Sequence, residues 1–131
     1  MRSSFGRTGR LCENPQVQDA VGRADAILNA ARVYRSATIT ELWNTVAAGE
    51  DTTLEQRARC RLAAVYATDN AREAMDLMYR HGGSTSYRRE SRLAECWRDL
   101  HVVGQTAALA PEWYPIGGRV FLKLDPGPRL R

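Results

Sequence analysis

The sequence predicts an all-α protein, an antiparallel helical bundle of three long helices plus a short C-terminal helix. Three observations predict it. Apolar residues recur every three or four positions over two stretches of roughly seven to eight turns. Capping residues open those stretches and glycines close them. Runs of alternating β-branched residues, the mark of strands, are nearly absent.

Residues 1–13 are polar, glycine-bearing and aperiodic, and read as a flexible N-terminal arm. Asn14-Pro15 starts the first helix. Asn caps free N–H groups, and Pro fits the first turn, where its missing N–H costs nothing. The stripe then runs through Val17, Ala20, Val21, Ala24, Ile27, Leu28, Ala31, Tyr34, Thr38, Leu42 and Val46, and ends at Ala47-Ala48-Gly49.

Thr52-Thr53-Leu54-Glu55-Gln56 is a capping box that opens the second helix. Its stripe (Leu54, Ala58, Arg61/Leu62, Val65, Thr68, Ala71/Arg72, Met75 and Met78/Tyr79) stops at Gly82-Gly83. A third helix is expected over residues 91–109, with Leu93, Trp97, Leu100, Gly104 and Ala107/Ala108 inward, until Pro111 breaks it. A short helical turn is expected between Glu112 and Gly118. Residues 126–131 form an irregular tail, which Val120-Phe121-Leu122 would dock. The bundle proper thus spans residues 14–125. Three amphipathic helices bury only part of so wide a stripe, which calls for a partner.

The chain has 131 residues, enough for one domain, and 44% of them are apolar. No apolar run is long enough for a bilayer, and no apolar segment follows Met1-Arg2 as in a signal peptide. No membrane partner is expected. Cys12, Cys60 and Cys96 are odd in number and far apart, so they suit neither a metal site nor a disulfide framework. They read as idle thiols of a cytoplasmic protein. The net charge of +4 is carried almost wholly by arginine. Arg57, Arg59 and Arg61 alternate beside Glu55 and read as a solvated face, so no nucleic-acid partner is expected.

The chemistry concentrates at His81-Gly82-Gly83-Ser84-Thr85-Ser86 and at Arg98-Asp99 on the next helix. Bare backbone admits another molecule closely, and hydroxyls and arginines beyond it can hold phosphate oxygens. A plain helix stop and turn would leave the same glycines.

The order Gly82-Gly83, Leu93, Arg98-Asp99 resembles the C-terminal helical domain of the acyl-CoA dehydrogenase superfamily. Val17-Gln18, Gly22-Arg23-Ala24, Leu54-Glu55-Gln56-Arg57 and Gly118-Arg119-Val120 resemble, in particular, its branch of two-component flavin-dependent hydroxylases. The resemblance implies a tetrameric flavoprotein. Its flavin lies between a β-domain and this bundle, and the glycine loop reaches the nucleotide of a neighbouring subunit. It implies FAD or FMN as cofactor and Gly82, Gly83, Ser84 and Thr85 at its diphosphate or adenosine end. Arg98 reads as an inter-helix ion pair or a cofactor contact, and Asp99 as a buried acceptor or an arginine's partner.

Two departures stand out. The family's catalytic glutamate would fall at Ala108, and the hydroxylases' histidine at Thr106, neither of which can move a proton near neutral pH. No catalytic residue is therefore assigned, and whether the chain is itself an enzyme stays open. His101 faces away from Thr106 on the same helix and reads as a structural histidine, and His81 as a favourable charge at a helix end. Nothing in the chain corresponds to the family's N-terminal helical domain or β-domain. The expectation is a partial chain that binds flavin weakly or not at all alone, forms a homo-oligomer (dimer or tetramer), and is completed by a separate polypeptide. A non-catalytic oligomerisation or scaffold protein of the same descent is the alternative.

Overall fold

The computed structural model describes residues 10–84 and 86–130. Four α-helices account for most of them: α1 (Pro15–Ala47), α2 (Leu54–His81), α3 (Arg92–Val103) and α4 (Trp113–Phe121). Short 3-10 turns at Leu11–Glu13 and Ala107–Leu109 precede α1 and α4, and no strand occurs among the described residues. Most of the expected N-terminal arm lies outside the described residues.

Capping chemistry sets the ends of the long helices. The Asn14 side chain accepts from Gln16 N at 3.0 Å. Thr53 and Gln56 satisfy each other's backbone N–H groups at 3.1 and 2.9 Å. Gly49 closes α1 with φ of 76°, a left-handed turn that a side chain would disfavour.

α1 and α2 form an antiparallel hairpin. At its closed end Gln56 Nε2 donates to Thr45 Oγ1 at 2.8 Å, and further along Tyr34 meets Tyr66 edge-on. α3 and α4 both pack on α2 as well, while neither makes more than marginal contact with α1. α2 therefore needs two inward faces. Ala58 and Val65 lie on the side that meets Trp113 and Val120 of α4. Ala63 and Ala74, also buried, lie across the helix from them. A single stripe does not describe a helix used on both sides, and the sequence reading missed Ala63 and Ala74 for that reason.

The third helix is shorter than expected. It stops at Val103, and Ala107 and Ala108 are exposed, not inward. Arg72 of α2 packs against its end. Its guanidinium occupies the space a side chain would take at buried Gly104, and its Nε donates to the Leu100 carbonyl at 3.5 Å. The same carbonyl also accepts from Gly104 N at 3.4 Å, so this last-turn oxygen is shared between its own helix and α2. Trp113 Nε1 then pins the following turn through the Ala107 carbonyl at 3.0 Å.

The C-terminal segment docks on Val120, as expected, while Phe121 and Leu122 stay exposed. It is irregular, as its Pro-Gly-Pro composition dictates, but Leu130 is only 5% exposed and joins the core of Ala58, Val65, Trp113 and Val120. A bond that Arg119 Nε donates to the Asp125 carbonyl and a left-handed Gly127 fold it back.

Candidate functional site

The loop between α2 and α3 carries four of the five expected site residues, and the structure treats them unequally. Gly82 caps α2 with φ of −72°, and is half-buried. A Cβ there would lie 2.7 Å from Leu93 Cδ2 and 3.1 Å from Ser86 Cβ, so the chain's own side chains cover that face. Gly83 is the opposite case. It is exposed, its φ is 71°, and no atom would come within 4 Å of a Cβ. Ser84 beside it is exposed. Thr85 lies outside the described residues.

Ser86, the last residue of the expected stretch and one given no role of its own there, organises the loop. It is 2% exposed, and both its N and Oγ donate to the Gly83 carbonyl, at 3.0 and 2.6 Å. The carbonyl of Gly83 is thus turned inward and satisfied. A hydroxyl three residues after the helix stop was a readable signal for such a turn.

Arg98 lies five residues beyond Leu93, exposed, and makes no hydrogen bond or ion pair among the described residues. Asp99 is exposed, which corrects the buried acceptor expected of it. Arg92 is pushed above its ordinary pKa, first by its hydrogen bond to Glu95 and more weakly by Asp99. Asp99 acts as an arginine's neighbour only at that level. Thr106 and Ala108 are exposed on the turn that follows α3.

His101 is engaged within the bundle. Its Nδ1 lies 2.8 Å from the Trp97 carbonyl, so that nitrogen carries the proton, and its Nε2 lies 3.9 Å from Asp76 Oδ1. The same carboxylate oxygen accepts from Trp97 Nε1 at 2.7 Å. Trp97 lies between His101, with ring centroids 4.1 Å apart, and Tyr79, at 5.3 Å. Tyr87 of the loop meets Tyr79 edge-on, also at 5.3 Å. This aromatic seam joins the glycine loop to the α2–α3 contact.

Further down α2, Asp69 pairs with Arg72 at 3.3 Å and accepts from the Tyr114 hydroxyl at 2.9 Å. Burial, then that hydrogen bond, push the Tyr114 phenol up to about 12. Arg59 and Arg61 are exposed, as expected of a solvated face, and their guanidinium groups also lie over aromatic rings, while Arg57 is half-buried. Arg61 lies 4.9 Å from the Trp113 ring centre and Arg59 5.9 Å from that of Phe121. No group of three or more metal-ligating side chains occurs among the described residues. No helix there is long and apolar enough to cross a membrane.

Comparison with known proteins extends this geometry. The family model for the acyl-CoA dehydrogenase C-terminal domain matches residues 1–111. A pigment production hydroxylase of Rhodococcus erythropolis is 36% identical over 74% of this chain and 24% of the relative. An indole-3-acetate monooxygenase of Pseudomonas putida is 30% identical over 90% of this chain and 30% of the relative. The crystal structure of 3-HSA hydroxylase from Rhodococcus sp. RHA1 superposes with a TM-score of 0.86 at 25% identity, over 95% of this chain and 33% of that one. The chain therefore spans between a quarter and a third of the length of these relatives.

Proposed function

The chain belongs to the acyl-CoA dehydrogenase C-terminal domain family, and from that premise we propose that it is one wall of the flavin site in a flavin-dependent oxidoreductase or hydroxylase. The observation that carries the reading is the open backbone at Gly83, with exposed Ser84 beside it, at the end of α2. Unhindered amides and a hydroxyl suit phosphate oxygens. Gly83, Ser84 and Thr85 would touch the diphosphate or adenosine end of FAD or FMN, and Arg98 would add charge. Gly82 supports the loop from beneath through Leu93 and Ser86. The flavin supplies the redox chemistry. The remaining walls come from a polypeptide carrying the family's N-terminal and β-domains.

Oligomer contacts belong to the same reading. Val21, Ile39, Trp43 and Val46 of α1 are half or more exposed. A second copy would cover them in a cytoplasmic dimer or tetramer.

The test is co-purification. The chain alone, and the chain with a polypeptide carrying the missing domains, pass through gel filtration with FAD and with FMN. Flavin should stay only with the pair, and Gly83→Ala should strip it while leaving the pair and its helicity intact. Flavin held by the chain alone, or fully retained by the Gly83→Ala pair, contradicts the proposal.

A second reading rests on Thr106 and Ala108. Both stand exposed where the family carries groups able to move a proton. A scaffold that keeps the bundle without the chemistry would form a stable oligomer by light scattering and gain no flavin from any partner.

A further inference from the structure

Tyr87, Tyr79 and Trp97 form an unbroken run of ring contacts from the glycine loop into the α2–α3 seam. The run has two distinct ends. Trp97 is half-buried, and its indole N–H is already hydrogen-bonded to the Asp76 carboxylate at 2.7 Å. Tyr87 is 65% exposed. Indole and phenol are the aromatic side chains that give up an electron most readily, and each sheds its N–H or O–H proton as it does so. At Trp97 a proton acceptor is in place. At Tyr87 the acceptor is water. Near neutral pH the phenol is the easier of the two to oxidise once its proton can leave, and rings in contact exchange electrons far faster than separated ones.

We propose that this run is a one-electron relay: an oxidising equivalent that reaches Trp97 passes through Tyr79 and comes to rest on Tyr87 at the surface. The steps balance as follows. A one-electron oxidant, an organic peroxyl radical or a ruthenium(III) polypyridyl complex, takes an electron from Trp97, and the indole proton moves to Asp76, leaving a neutral indolyl radical and a carboxylic acid. An electron from Tyr87, handed on through Tyr79, refills the indole, which recovers its proton from Asp76. The Tyr87 phenol proton goes to water. The net change is one reduced oxidant, one Tyr87 phenoxyl radical and one proton released. A thiol reductant restores the phenol by giving back one electron and one proton. The use of such a drain, beside a centre that handles oxygen, rests on the flavin reading above, but the relay itself does not.

The experiment uses the full chain without flavin, so its failure leaves the co-purification result standing. Trp43 is 70% exposed and is replaced first, as Trp43→Phe, so that it does not intercept the oxidant. A photogenerated ruthenium(III) tris-bipyridine pulse is the oxidant, and transient absorption follows tryptophanyl and tyrosyl radicals. The tryptophanyl signal should convert into a tyrosyl one, with the oxidation mapped to Tyr87 by mass spectrometry. Tyr87→Phe should abolish the conversion and leave the tryptophanyl signal long-lived. Trp97→Phe should remove the converting signal. Asp76→Asn, which keeps every ring and an acceptor oxygen, should lose the fast neutral tryptophanyl radical. Conversion that proceeds unchanged in Tyr87→Phe or in Trp97→Phe rules the relay out, and an unaltered radical in Asp76→Asn rules out its proton step.

Discussion

Gly104 matters for what its missing side chain leaves room for. The Arg72 guanidinium fills that space and reaches both Leu100 and Asp69. A methyl group there displaces the flexible end of Arg72 and breaks those bonds. Gly104→Ala should cost about 1–2 kcal/mol in chemical denaturation. In an Arg72→Ala background the same change should cost almost nothing, and equal costs in both backgrounds would exclude the coupling. Tyr114 offers a pH-linked test at the same scale. Its phenol is raised to about 12 in the fold, first by burial and then by the bond to Asp69. The folded state therefore holds this proton more tightly than the unfolded chain, whose tyrosine titrates near 10. The stabilisation is complete below about pH 10 and fades as pH rises through about 12. Ultraviolet titration should show one late tyrosine that Tyr114→Phe removes and Asp69→Asn shifts earlier.

Helix starts and stops were the most legible features of the chain. Asn14-Pro15, the Thr53–Gln56 box, Gly49 and the Gly82-Gly83 stop act through neighbours in sequence, so local chemistry was enough to read them. The packing at the end of α3 was not legible, because Arg72, which fills the space at Gly104, lies on another helix. The candidate site divides the same way. The turn at Gly83 follows from local chemistry, whereas the cover over Gly82 comes from Leu93 across the loop. Among the caps, Gln56 has two tasks. It closes the box with Thr53 and reaches Thr45 on α1. Thr53→Ala should lower stability by about 1 kcal/mol. Gln56→Ala should cost more, because it also loosens the closed end of the hairpin. Equal losses in thermal melts would mean that the bond to Thr45 contributes little.

For the molecule as a whole, the tail belongs to the core. Chain ends usually fray unless something ties them down. Here Leu130 is inserted beside Trp113 and Val120. Leu130→Ala should destabilise the protein by about 2–4 kcal/mol, visible as a lower midpoint in denaturant. An unchanged midpoint would show that the tail rests on the surface. The apolar Val120-Phe121-Leu122 run pointed to this docking, but not to Leu130 as the residue inserted, since one leucine after Pro-Gly-Pro carries no period. At the same scale, the exposed strip on α1 should drive self-association. Ile39→Glu with Val46→Glu should shift light scattering toward smaller species, and an unchanged mass would place any contact between copies elsewhere.

Among the described residues α2 is the spine. α1 lies along one side of it, and α3 and α4 lie end to end along the other, with little direct traffic between the two sides. Either layer can come away while the spine keeps its remaining neighbour, but loosening the spine releases both at once. Amide hydrogen exchange should therefore resolve two separately opening layers and a slowest set along α2. A signal from the glycine turn at one end would reach α1 only by way of that central rod.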